Sequence, residues 1–136
     1  MASIIKEFAV DAPIAAVWEA FCDYGAVDTR VARGFVAESR LDGDTRHIRF
    51  VNGLEADERL IAIDEQHHRI VYSASSERLT HHNASHQLWA ADGGKTRIVW
   101  TADVLPDEIA PAIATMMDAG IRAAQATLAT NGVRAV

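Results

Sequence analysis

The period of the hydrophobic positions changes twice along this chain. Near the N-terminus Ile4 to Val10 alternates, with Ile4, Lys6, Phe8 and Val10 set against Ile5, Glu7 and Ala9, which predicts a strand with apolar residues on both faces. Ile14, Val17, Trp18 and Phe21 then fall at i, i+3, i+4 and i+7, the spacing of a short amphipathic helix over Pro13–Asp23, with Asp11 as its cap and Pro13 in its first turn. Tyr24 to Arg33 reads as a second short helix ended by Gly34. From Phe35 the period is two. Phe35–Arg40, Arg46–Val51, Ala56–Ile63, Arg69–Ser75, Asn83–Ala90 and Thr96–Val104 are strand-length runs, most of them separated by turn residues such as Asp42-Gly43-Asp44, Asn52-Gly53 and Asp92-Gly93-Gly94. The helical period returns over Asp107–Asn131, where Ile109, Ile113, Met116, Met117, Ile121 and Leu128, with Gly120 and Ala124 between them, form one buried stripe. Asp107 and Glu108 suit the electropositive start of that helix, Pro111 its first turn, and Asn131-Gly132 its stop. Its length is about 24 residues, roughly 36 Å.

Short links join antiparallel neighbours, so the six later strands form a meander. The order strand, helix, helix, six strands, long helix describes a single α+β domain over residues 1–136, without repeats or a linker. The flexible Met and small Gly and Ala residues in the long helix leave room beside it, either for ordinary core packing or for something other than protein.

Composition narrows the partners. With 49% hydrophobic and 24% charged residues, 136 residues can build a core without a disulfide or metal. A net charge of −6 and the lack of a Lys/Arg cluster exclude a nucleic-acid surface. No apolar run approaches the roughly 20 residues of a spanning helix, and the N-terminus has no basic region leading an apolar core, so no membrane insertion and a cytoplasmic location are expected. Cys22, the only cysteine, lies beside Phe21 in the first helix and reads as an inert buried thiol.

Several short motifs follow one another in a particular order: Val10-Asp11-Ala12-Pro13 with Val17-Trp18, Asn52-Gly53 before Glu58-Arg59-Leu60, then Asp64-Glu65, Arg69, Tyr72, and Gly93 to Trp100 ahead of the last helix. Together they resemble the helix-grip superfamily, also called START-like or SRPBCC, and within it the polyketide cyclase/dehydrase branch, over nearly the whole chain. The resemblance implies a curved seven-stranded antiparallel sheet wrapped around the long C-terminal helix, with two short helices after the first strand. It also implies a cavity for lipid-like apolar or amphipathic small molecules between sheet and helix. Relatives often carry a Trp and a Pro after the first helix, where this chain reads Tyr24 to Arg30.

Strand alternation assigns the inward residues. Trp100 shares a face with Ile98 and Ala102; Ala84 and His86 share one with Leu88; Tyr72 lies with Ile70 and Ala74; Ile48 and Phe50 point inward, with Arg46 at one end. On the next strand Glu58, Leu60 and Ala62 oppose Arg59, Ile61 and Ile63. A two-residue Asn52-Gly53 turn would put Ile61 and Ile63 on the face of Ile48, whereas a three-residue loop, Asn52-Gly53-Leu54, would set Glu58 beside Ile48 and turn it inward. The Glu-Arg-Leu resemblance favours the longer loop. The expected ligand-binding wall is therefore Arg46, Ile48, Phe50, Glu58, Leu60, Tyr72, Ala84, His86 and Trp100 from the sheet, with Met116, Met117, Gly120 and Ile121 from the helix.

Two of these residues could carry chemistry. An inward Glu58 is either a desolvated acid or base or the partner of Arg46 in a salt bridge. His86 is a general base, a hydrogen-bond partner for ligand, or a core histidine. The six histidines do not make a metal site, since His82 and His86 on one strand face stand roughly 13 Å apart, while two donors on one zinc are at most about 4 Å apart. No metal and no cofactor is expected. On the outer sheet face Val71, Trp89 and Val99, with Ile61 and Ile63 if Glu58 is inward, form either a homodimer interface or an ordinary row of strand-forming residues. Two functions fit: a module that carries, senses or sequesters a small, largely apolar molecule, or a cyclase/aromatase or dehydratase in which Glu58 or His86 moves a proton.

Overall fold

The computed structural model describes residues 1–134, with side chains through residue 129. Strands β1 (Ala2–Val10), β2 (Val36–Asp42), β3 (Thr45–Phe50), β4 (Glu55–Asp64), β5 (Arg69–Ser75), β6 (His81–Ala91) and β7 (Lys95–Leu105) form one antiparallel sheet in the order β1-β7-β6-β5-β4-β3-β2. The six later strands are the expected meander, and β1 adds beside β7 with Phe8 opposite Ile98. Irregularities in β2 after Val36 and in β4 after Leu60 bend the sheet. Helices α1 (Ile14–Cys22) and α2 (Ala110–Arg134) pack on its inner face, and a 3-10 turn at Tyr24–Ala26 and a π turn at Val27–Val31 lead from α1 to β2 where the sequence suggested one short helix. This is the helix-grip architecture.

Several local details differ from the sequence reading. The cap of α1 is Pro13, not Asp11; no side chain bonds the helix start, and the Pro13 carbonyl accepts from the N–H groups of Ala16 and Val17. A 3-10 turn at Asp107–Ile109 precedes α2, and α2 runs on through the predicted Asn131-Gly132 stop.

The two ends of the inner face are filled differently. Val10, Val17, Leu88, Ile98, Thr96 and Leu128 are almost fully buried, so β1, α1, the β6–β7 hairpin and the C-terminal half of α2 make a close-packed end. The Thr96 hydroxyl donates to the Ala12 carbonyl at 2.7 Å, and the Thr127 hydroxyl accepts from the Arg33 N–H at 3.0 Å, which satisfies the two hydroxyls buried there. Around the N-terminal half of α2, Ile109, Ile113 and Met116 are less buried and border open volume. That end is hollow.

Candidate functional site

The hollow end is a cavity of about 1340 Å³ between α2, the turns after α1 and strands β2 to β7. Its apolar wall comes from Phe35, Ile48, Phe50, Trp100, Ile113 and Met117. Gly120 brings helix and rings together: a Cβ there would stand 3.2 Å from Phe35 and 3.3 Å from Trp100. The small residue is thus what lets α2 lie against two aromatic rings.

One row of inward positions is polar. Arg46, Glu58, Ala74 and His82 lie side by side on β3, β4, β5 and β6. Arg46 donates to Glu58 Oε1 from Nε at 2.8 Å and from Nη2 at 2.6 Å, and from Nη1 to the Tyr24 carbonyl at 3.1 Å. Its guanidinium also lies 3.9 Å from the centre of the Tyr24 ring, whose hydroxyl donates to the Glu58 carbonyl. Burial works most strongly against the charge of Arg46, but the Glu58 carboxylate and smaller contributions from Tyr24 and Tyr72 together hold the group above its ordinary value. The salt-bridge reading of Glu58 is the one observed.

Beside this pair sits a stack of rings. His86 lies 4.6 Å from Trp100 and 4.8 Å from Phe21, centre to centre, and 5.9 Å from a nearly parallel Tyr72. Burial, with the nearby Arg46 charge, depresses the His86 pKa to about 3, so its imidazole is neutral. Among the described residues no protein group bonds either of its ring nitrogens, and neither is sealed from the cavity. The Tyr72 hydroxyl accepts from Trp100 Nε1 at 3.1 Å, which leaves its own O–H to donate; burial and then the Glu58 charge raise its pKa and keep it protonated. His82 Nδ1 accepts from the Ala74 N–H at 2.9 Å, so the proton of the neutral ring is on Nε2. Burial lowers the His82 pKa as well.

Of the residues expected from the sequence, Arg46, Ile48, Phe50, Glu58, Tyr72, His86, Trp100, Met116, Met117 and Gly120 lie on the cavity wall. Leu60, Ala84 and Ile121 do not. The β3–β4 ladder ends at Thr45 and Arg59, so Leu60 lies past the end of β3 and packs into the core. Ala84 is flanked by Tyr72 and Ala102, and its methyl is too short to reach the open volume. Ile121 shares a helix face with Asp118 and Gln125, which bond Lys6 and the Ala9 carbonyl, so it packs towards β1. His82, Tyr24 and Phe35 were missed. His82 continues the inward row of Ala84, His86 and Leu88, so alternation carried two residues further would have found it.

Glu58 faces inward as favoured, but through a different register. Phe50 and Leu54 close the β3–β4 loop over Val51, Asn52 and Gly53, with Gly53 at φ +90°, so Glu58 pairs with Arg46 and Ile48 with Ala56. On the outer face Ile61 is an extra residue, after which Ala62 pairs with Val71 and Ile63 with Ile70; Ile63 therefore leaves the outer row. Val71 is buried, and Arg97, paired with Glu7, covers the Trp89 ring at 4.4 Å. The Cys22 thiol is pushed up to about 11 by burial and the Glu65 carboxylate, which keeps it protonated. Among the described residues no three His, Cys, Asp or Glu side chains are grouped to hold a metal ion, and no helix is long and apolar enough to cross a membrane.

Solved structures share this architecture. The chain is similar to an uncharacterised protein of Bacillus thuringiensis (TM-score 0.81, 17% identity, 93% of this chain and 98% of that one). It is also similar to the protein XoxI of Bacillus cereus (TM-score 0.78, 17% identity, 98% and 96%). A solution structure from Thermobifida fusca is 27% identical, with a TM-score of 0.77 over 98% of this chain and 95% of that one. No curated protein matches the chain. The model of the family described as polyketide cyclase/dehydrase and lipid transport matches residues 1–132, which takes in every strand and wall residue described above, and the chain belongs to that family.

Proposed function

We propose that this protein binds a small, largely apolar molecule between its sheet and α2, with the molecule's polar end against Tyr72, His82 and His86. The observation that carries this reading is the set of polar atoms left without protein partners where aromatic rings line the cavity: the His86 nitrogens, the Tyr72 O–H and His82 Nε2. Buried polar groups are rarely left so unless a ligand or water meets them. Proton transfer has less support. A general base works best with a pKa near the working pH, and His86 is held far below it, while Glu58 is engaged by Arg46.

Binding of 1-hydroxypyrene, a fluorescent apolar probe with one hydroxyl, tests the reading. His86→Phe fills similar space without ring nitrogens and should weaken binding by roughly 0.5 to 1.5 kcal/mol, the worth of one hydrogen bond. An unchanged affinity would remove His86 from the site. For an enzyme using His86 as base, turnover of a cyclising or dehydrating carbonyl substrate would instead fall about 100-fold or more with little change in binding.

A further inference from the structure

We infer that the cavity selects uncharged ligands, taking a hydroxyl, phenol or amide at its polar end and excluding carboxylates and other anions, because the Arg46–Glu58 pair leaves that end formally neutral. The inference rests on the binding reading above and specifies the chemical class it admits. Arg46 is the cation closest to the ring stack, and an apolar pocket with a buried arginine invites assignment as a carboxylate receptor. Its geometry argues otherwise. Nε and Nη2 both point at Glu58 Oε1, Nη1 points at the Tyr24 carbonyl, and the Tyr24 ring covers one face of the guanidinium. Glu58 Oε2 has no protein donor among the described residues and is not sealed, so an entering carboxylate would meet a second carboxylate there.

The remaining polar groups carry no charge to replace Arg46. His82 has one ring nitrogen committed to the Ala74 N–H, His86 is enclosed by three aromatic rings, and Tyr72 offers a phenol O–H. These supply donors from Tyr72 and His82 and acceptors from His86 and Glu58 Oε2, which match a group that both gives and takes hydrogen bonds. Among the charged residues farther out on the lining, the carboxylates of Asp28, Glu55 and Glu77 accompany Arg40 and Arg78, which are both exposed to solvent, and Arg49 is paired with Glu38 at 2.9 Å. An anion at the buried end, beside the ring stack, would therefore lose its hydration without gaining an unpaired counter-charge there.

The test compares 1-pyrenecarboxamide with 1-pyrenecarboxylate, nearly identical in shape and different in charge, by fluorescence titration at neutral pH. The amide is expected to bind at least about 30-fold more tightly. Glu58→Gln keeps the side-chain shape but leaves Arg46 without its counter-ion, so in that variant the preference should narrow or reverse. Equal affinities in the wild type, or tighter binding of the carboxylate, overturn the inference while leaving the binding reading in place. A wild-type preference that Glu58→Gln leaves unchanged also overturns it, because the pair then does not set the selectivity. Should Glu58→Gln fail to fold, the wild-type comparison decides alone. If 1-hydroxypyrene and the amide both fail to bind, the binding reading falls and this inference with it.

Discussion

Arg46→Met is expected to destabilise the domain by about 3 to 5 kcal/mol, because removing one member of a buried ion pair strands the other charge. Both side chains are about nine-tenths buried, and Glu58 would keep its carboxylate at the edge of an apolar cavity with no guanidinium against it. Loss of the Nη1 bond to the Tyr24 carbonyl would also loosen the turn after α1. The double variant Arg46→Met/Glu58→Leu should recover most of the loss, since apolar residues of similar volume often replace a buried pair at little cost. Urea unfolding of the two single variants and the double variant gives the coupling directly. A single variant within 1 kcal/mol of the wild type would mean that cavity water, not Arg46, satisfies Glu58.

Acid sensitivity is the second large effect. His86 has an ordinary pKa near 6.5 in the unfolded chain and about 3 in the folded one, so at pH values between them the unfolded state binds the extra proton. The sign follows: stability is complete above about pH 6.5 and falls as the pH drops towards 3, by about 1.4 kcal/mol for each unit of pH. His82, also lowered by burial, adds to the same trend. His86→Phe can keep the stack with Phe21, Tyr72 and Trp100 and has no proton to bind, so its stability should depend less steeply on pH. Unfolding free energies at pH 7, 6, 5 and 4 measure both slopes. Parallel curves for wild type and variant would show that His86 titrates normally in the folded protein.

These two residues also show how far the sequence could be read. The strands were legible because turn residues punctuate a period-two text, and the six runs recur with ends displaced by no more than two residues. Inward rows followed from alternation, which placed Tyr72, His86 and Trp100 on one wall. Register was harder. Val51 is a good strand former by type, yet it opens the β3–β4 loop, so Glu58 faces Arg46 rather than Ile48. The extra residue Ile61 was invisible because Ile61, Ala62 and Ile63 suit either phase of the alternation. Tyr24 was lost for a different reason: a 3-10 turn followed by a π turn has no steady period, so nothing in the text marks which residues point inward. Leu60 and Ile121 erred because both are large and apolar, and the sequence does not tell a core neighbour from a cavity wall.

The volume beside Gly120 is either a binding site, as proposed above, or loosely filled core. Calorimetric titration of 1-hydroxypyrene into the wild type and into Gly120→Phe separates the two. A Cβ at position 120 already meets Phe35 at 3.2 Å and Trp100 at 3.3 Å, so a phenyl group there must push the rings or itself into the cavity, an overpacking that costs about 1 to 3 kcal/mol and that the helix propensity gained on leaving glycine offsets in part. A binding site gives one saturable event in the wild type with a negative heat-capacity change, and affinity weakened about 100-fold or more in a folded Gly120→Phe. A folded Gly120→Phe that binds the probe as tightly as the wild type would show that the ligand does not enter this volume.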